Sequence, residues 1–140
     1  MRLLGIDVGD KRVGLAISDV SQTLARPLVT LTVSGFDAAV AQVADEATRL
    51  AREDDGLEAL VVGRPTSLDG TPTAETSTVD RFVAALRQRT ALAVHVQDER
   101  LSSREAESRL AITERDWRER KKKLDAAAAA IILQDYLDRR

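Results

Sequence analysis

Three acidic residues lie at positions suited to binding a cation. Asp7 lies inside the apolar segment 2–8, Glu99 follows the apolar segment 92–96, and Asp125 opens an alanine-rich segment with helical spacing. A carboxylate on the face of a central strand is costly unless it is paired or binds a cation. The three residues are therefore candidates for one acidic site, provided that the fold brings them together.

A cluster of carboxylates attracts divalent cations. Two unit charges about 4 Å apart repel by roughly 4 kcal/mol at an effective dielectric constant near 20. Such a cluster takes up protons or binds metal ions, and all-oxygen ligands suit Mg²⁺ or Mn²⁺. Two ions about 3.5–4 Å apart activate a water molecule and stabilise the leaving oxygen in phosphodiester hydrolysis. That chemistry needs no nucleophilic side chain. The sequence has one histidine, His95, which we expect to be a packed or solvated strand residue.

Each of these acids also has an ordinary structural explanation. Asp7 at a strand end would cap the turn at Gly9, and Asp98 with Glu99 would solvate a strand-to-helix loop. The helix dipole favours an acidic residue such as Asp125 in a first turn. Periodicity and spacing alone leave these alternatives open.

Asp125 is predicted to point along the apolar face of its helix. The residues three, four and seven positions further on are Ala128, Ala129 and Ile132. Small residues recur on the faces of the first two strands, at Gly5, Gly14, Ala16 and Ser18. An alanine-rich helix can approach such a sheet face closely, which would bring Asp125 near Asp7.

Basic residues are expected to hold a nucleic acid at this site. The net charge of −2 gives no bulk attraction, but residues 115–123 carry six positive and two negative charges. Contacts to phosphates are predicted for Lys11, Arg12, Arg64, Arg100, Arg104, Arg118, Arg120, Lys121, Lys122 and Lys123. Surface charge balance explains any one of them equally well.

Composition points to one globular domain over residues 1–140. The chain is 44% hydrophobic and 31% charged, which is typical of a globular protein in water. It has no cysteine, so disulfides and thiolate metal sites are excluded. No apolar run approaches the roughly 20 residues of a membrane helix, and the first residues do not form a signal peptide. We expect a cytoplasmic protein without membrane contact, and its oligomeric state is left open.

The elements that must position these residues follow from hydrophobic spacing. Strands are predicted at 2–8, 12–18, 26–33, 58–62 and 92–96. Helices are predicted at 37–53, at about 72–88, from Ser102 onwards and at 124–137. The order predicts an α/β fold with a five-stranded mixed sheet, in which an antiparallel meander of three strands precedes α-β-α-β, with helices on both faces. If the first and fifth strands run parallel, Asp7 and Glu99 lie at the same edge of the sheet.

Four segments resemble the motifs of the YqgF/RuvX family. Residues 5–9 (GIDVG), followed by KRVGLA at 11–16 and Ser18-Asp19, are similar to its opening motif. Val61-Val62-Gly63 with Pro65 and Gly70 resembles the second motif, and DERLS at 98–102 resembles the third. Lys123-Leu124-Asp125, with Ala127-Ala128 and the segment 132–138, resembles the last. The resemblance spans nearly the whole chain.

This resemblance implies a ribonuclease H-like fold and a divalent-metal nuclease site. It carries over Asp7, Glu99 and Asp125 as the acidic triad, and leaves the neighbouring Asp98 as the alternative ligand to Glu99. Members are assigned as Holliday-junction resolvases and as nucleases that mature the 5′ end of pre-16S rRNA. The implied partner is therefore a ribosomal RNA precursor or branched DNA. Arg64, where the family tends to have an apolar residue, and Ser103, where threonine is usual, depart from the pattern.

Two other classes of protein share parts of this pattern. The Gly-Ile-Asp-x-Gly opening also resembles the first phosphate loop of actin-like ATPases and sugar kinases. Those enzymes need two such domains around the nucleotide, and 140 residues are too few for that. A nucleic-acid-binding or ribosome-assembly protein that keeps the fold without cleavage is the non-enzymatic alternative.

Overall fold

The computed structural model describes residues 1–99 and the backbone from residue 117 onwards, with side chains again from 124 to 140. In these ranges the elements are β1 (Arg2–Val8), β2 (Arg12–Ser18), β3 (Ala25–Thr32), α1 (Phe36–Ala51), β4 (Leu57–Pro65), α2 (Ala74–Arg89), β5 (Ala93–Glu99) and α3 (Trp117–Arg139). No helix within them combines the length and the apolar character required to cross a bilayer.

The strands form one mixed sheet in the order β3-β2-β1-β4-β5. β1, β2 and β3 pair antiparallel, while β4 runs parallel to β1 and β5 parallel to β4. The first and fifth strands therefore run in the same direction, as the position of Glu99 required. The predicted α/β class, with its meander and its five-stranded mixed sheet, is confirmed.

Side chains alternate across the sheet and build an apolar layer on each face. One layer joins the sheet to α1 and α2 through residues such as Ile6, Leu15, Val62, Val43 and Phe82. The other joins it to α3 through Leu3, Ala16, Val61, Ala129 and Leu133. Helices thus cover both faces, and the second layer is the one that carries Asp125.

α3 lies very close to the sheet because glycines leave room for its backbone. A Cβ atom at Gly5 would lie 2.7 Å from Cβ of Leu133 and 2.9 Å from the carbonyl oxygen of Ala129. Ala128 and Ala129, at most 2% exposed, present only methyl groups to the strands. The close approach of an alanine-rich helix to a small-residue face is as predicted.

Three predicted boundaries are wrong. β4 was predicted to end at 62, but it continues to Pro65, so Gly63 belongs to the strand. α3 begins at Trp117 rather than at 124, so the basic residues up to Lys123 are helical. Lysine and arginine are good helix formers, and they extend the helix beyond its apolar stripe. β5 continues to Glu99 because its backbone pairs with β4 as far as Pro65. The helix predicted from Ser102 lies outside the described residues.

Candidate active site

The carboxyl ends of β1, β4 and β5 meet at one end of the sheet, and glycines flank Asp7 there. In the antiparallel pair, Asp7 lies opposite Gly14 of β2. In the parallel pair, Ile6 lies beside Val62, so the next step along the strands places Gly63 beside Asp7. The sheet therefore has a gap on each side of this carboxylate.

Asp125 occupies the space over Gly14, and Glu99 shares the space over Gly63 with Ile132, whose Cδ1 would lie 2.5 Å from a Cβ atom at Gly63. A Cβ atom at Gly14 would lie 1.9 Å from the carbonyl oxygen of Asp125, because α3 crosses the sheet at that point. A Cβ atom at Gly63 would lie 3.1 Å from Oε2 of Glu99. Residues separated by more than 90 positions in the sequence thus surround Asp7.

The three carboxylates interact through their charges. Burial raises the pKa of Asp7 well above its ordinary value, and the negative charges of Glu99 and then Asp125 raise that pKa further. Glu99 is 8% exposed, whereas the side chain of Asp125 keeps 27% of its surface open. Asp7 is half-buried, so the cluster forms a pocket that is closed at Glu99 and partly open at Asp7 and Asp125.

Arg12 places a positive charge against this pocket. Its Nε donates a hydrogen bond to Oδ2 of Asp125 at 2.7 Å. The turn before β2 fixes the Arg12 backbone, since the Gly9 N–H donates to the Arg12 carbonyl at 2.9 Å. The guanidinium therefore neutralises one of the three carboxylates.

The carboxylate oxygens suit a hard divalent cation, although the side chains do not converge on one position. Among the residues with described side chains, no three histidine or acidic groups have the spacing of a metal site. Asp125 is turned toward Arg12 instead. Neighbouring carboxylates that repel one another are nevertheless the groups that a divalent ion would neutralise, and their oxygens are the ligands that Mg²⁺ and Mn²⁺ prefer.

Asp98 and Arg64 lie on the opposite face of the sheet from Asp7. They are neighbours across β4 and β5, and strand alternation directs them toward α2. Arg64 donates hydrogen bonds from Nε and Nη2 to the two carboxylate oxygens of Asp80, at 2.9 and 3.3 Å. The hydrogen bond to Asp80 raises the pKa of this guanidinium, and Asp98 adds to the effect.

The structure describes the positions of most of the remaining predicted basic residues. Lys11 is exposed in the turn between β1 and β2. Arg118, Arg120, Lys121, Lys122 and Lys123 lie on the backbone of α3 before Asp125. With a rise of 1.5 Å per residue, they extend up to about 11 Å beyond Asp125 along the helix axis. Arg100 and Arg104 lie outside the described residues.

Three features of the site escaped sequence reasoning. The gap at Gly63 becomes visible only when β4 is aligned with β1, and nothing in the sequence pairs Arg12 with Asp125. Thr66 follows β4, and its N–H contacts the Glu99 carbonyl at 3.4 Å. Its buried hydroxyl has no hydrogen-bond partner within the described part of the chain. His95 is exposed on β5 and stacks on Tyr136, with ring centroids 5.6 Å apart.

Comparison with known proteins identifies the family of this chain. A family model described as "RuvX: Holliday junction resolvase" matches residues 1–139. A protein of Chlorobaculum tepidum is 41% identical over 140 residues, covering 98% of this chain and 93% of its own length. A protein of Maridesulfovibrio salexigens is 42% identical over 139 residues, covering 99% of both chains. Both are named "Putative pre-16S rRNA nuclease".

A solved structure supports the same fold. The chain is similar to "T. thermophilus RuvC in complex with Holliday junction substrate", with a TM-score of 0.54 and 18% identity. The match covers 98% of this chain and 93% of that one. The arrangement of strands and helices is therefore that of RuvC-type, ribonuclease H-like resolvases.

Proposed function

This chain belongs to the RuvX family of Holliday junction resolvases, and we propose that it is a nuclease that hydrolyses phosphodiester bonds in structured nucleic acid. The observation that carries the proposal is the placement of the half-buried Asp7 between Glu99 and Asp125, where desolvation and both negative charges raise its pKa. Such a cluster has no evident structural use, because burial and mutual repulsion both oppose its ionisation.

We propose Asp7, Glu99 and Asp125 as ligands for Mg²⁺ or Mn²⁺. Glu99 is preferred to Asp98 because Glu99 lies on the Asp7 face, beside Gly63, and Asp98 lies on the other. A pair of bound ions would supply an activated water and stabilise the leaving oxygen of the phosphodiester.

The basic residues would hold the substrate backbone at the open side of the pocket. Lys11 stands in the turn beside Asp7, and five further cations precede Asp125 on α3. Contacts to phosphates fix the position and orientation of a nucleic acid without reading its sequence. This distribution favours recognition of the shape of a structured substrate.

We propose the 5′ end of pre-16S rRNA as the substrate. The support is that relatives above 40% identity, matched over at least 93% of their length, carry the name of a pre-16S rRNA nuclease. A four-way DNA junction is the second candidate, favoured by the description of the family model. A cytoplasmic location belongs to the first proposal, since precursor ribosomal RNA is an intracellular substrate.

A cleavage assay tests this function. Purified protein is offered a 16S rRNA precursor and a four-way DNA junction, each with Mg²⁺, with Mn²⁺ and with EDTA. We expect precursor cleavage that EDTA and Asp7→Asn abolish. Asp54→Asn, a matched change at an exposed turn residue, retains it. Cleavage of the junction alone would replace the RNA substrate with DNA.

Two further outcomes would overturn the enzymatic proposal. Binding of either nucleic acid without cleavage under any metal condition would identify a binding or ribosome-assembly protein. Equal cleavage by the wild type and Asp7→Asn would assign the activity to a contaminant.

A further inference from the structure

The contact between Arg12 and Asp125 uses only part of each side chain. The guanidinium donates through Nε to one carboxylate oxygen, Oδ2. Within the described residues, neither Nη group of Arg12 has a hydrogen-bond acceptor. The two side chains are 32% and 27% exposed, so solvent and ligands reach both partners. Arg12 therefore forms an ion pair with Asp125, but this single contact leaves its side chain able to rotate away.

The backbones on both sides of this ion pair are fixed. Arg12 is held by the Gly9 turn and by its pairing with Thr32 on β3. Asp125 is held where its carbonyl oxygen lies over Gly14. Any separation of the pair must therefore come from rotation of side chains, which takes picoseconds to nanoseconds for exposed groups.

Arg12 and a divalent cation compete for the same carboxylate. Without metal, the guanidinium offsets part of the negative charge that Asp7, Glu99 and Asp125 share. A metal ion held by the same acids would make that positive charge unnecessary, and it would repel the guanidinium. The freed fork of an arginine matches the geometry of a phosphate.

We propose that Arg12 is the counter-ion of the acidic cluster in the metal-free protein, that it releases Asp125 when the metal site fills, and that it then contacts a phosphate of the substrate. This rests on the proposed function, since it requires Asp7, Glu99 and Asp125 to bind the metal. Arg12 is thus a positioning residue before loading and a substrate contact afterwards.

Mn²⁺ binding to the purified full chain, measured by titration calorimetry, tests the first half. We expect Arg12→Gln to lower the melting temperature of the metal-free protein and to tighten Mn²⁺ binding by about three- to tenfold, the range of partly exposed ion pairs. Arg12→Lys keeps the charge and should give an intermediate affinity. Lys11→Gln removes the same charge from the adjacent exposed residue, and a change of less than about twofold is expected there.

The outcomes distinguish a failure of the proposed metal site from a failure of the proposed counter-ion role of Arg12. If the wild type does not bind Mn²⁺, or if Asp7→Asn binds it equally well, the proposed metal site is wrong. If the wild type binds Mn²⁺ and Arg12→Gln binds it with equal or weaker affinity, only the counter-ion proposal is wrong. Weaker binding would mean that Arg12 holds Asp125 in place for the metal.

Salt dependence of binding to a labelled four-way DNA junction tests the second half, with intact DNA verified on a gel. With Mn²⁺, we expect Arg12→Gln to reduce the slope of log affinity against log salt by about 0.9, the value of one phosphate contact. In EDTA, Arg12 remains on Asp125 and the slope should not change. A reduction of equal size in both conditions would refute the release of Arg12.

Discussion

Adding one methyl group at Gly14 should misplace an acidic residue of the site without altering any of the three. A Cβ atom there would lie 1.9 Å from the carbonyl oxygen of Asp125, 2.3 Å from its carbonyl carbon and 2.9 Å from the Ala126 nitrogen. All three are backbone atoms, so no side-chain rotation relieves the overlap. α3, β2 or both must move.

The size of the movement follows from these distances. Ordinary contact with a Cβ atom begins at 3.4 Å, so Gly14→Ala requires the methyl group and the carbonyl oxygen to separate by at least 1.5 Å more than the structure allows. Overpacking of this kind costs about 1–3 kcal/mol of unfolding free energy. A displacement of about 1 Å at a reacting centre costs up to roughly 100-fold in rate. We therefore expect cleavage to fall by about 100-fold in a protein that still folds.

Cleavage rate and unfolding free energy must be measured on the same preparation. Gly35→Ala is the matched control, because a Cβ atom at Gly35 meets nothing within 4 Å and its φ of 164° is extended backbone. We expect that variant to cleave at the wild-type rate. If Gly14→Ala also retained wild-type cleavage and stability, the close seating of α3 on β2 would not be what positions Asp125.

Four other predictions follow from the site. Because burial raises the pKa of Asp7 well above 3.8, the folded metal-free protein holds a proton that the unfolded chain releases. Its stability should therefore fall as pH rises from about 4 toward the folded-state pKa, while Mn²⁺ affinity rises over the same window. Denaturant unfolding across pH checks this, and stability that rises with pH there would contradict it. Asp7→Asn should raise metal-free stability at neutral pH and abolish the Mn²⁺-induced rise in melting temperature. A lower metal-free stability would show that groups other than a metal stabilise the carboxylate. Thr66→Val removes a buried hydroxyl without a partner among the described residues and should raise the unfolding free energy by about 1 kcal/mol, whereas a loss would reveal a partner. Affinity for nucleic acid should weaken steeply with salt, and the combined change of Lys121, Lys122 and Lys123 to glutamine should reduce the slope by up to about 3; an affinity independent of salt would exclude a role for these cations.

The sequence predicted the frame of the site better than its details. β1 and β2 have the predicted bounds because alternating apolar residues and a short turn determine strands locally. The start of α3 was missed because its first turns have no apolar periodicity: after Trp117 they contain only charged residues with good helix propensity. The end of β5 was missed because pairing with β4, a tertiary interaction, extends the strand through polar residues.

The individual contacts around Asp7 could not be predicted from the sequence. That Asp7, Glu99 and Asp125 share one end of the sheet followed from parallel strands and a close helix. The gap at Gly63 depends on the register between β4 and β1, which one strand does not reveal. The pairing of Arg12 with Asp125 joins residues 113 positions apart through side-chain torsions. No local sequence pattern predicts a side-chain contact over such a separation.

The third acid resides on α3, which follows all five strands in the chain. During translation the residues of all five strands are therefore synthesised before Asp125. The acidic cluster is therefore complete only after α3 has been synthesised and has docked over Gly14, so under the proposed function metal binding waits for the last described element of the fold.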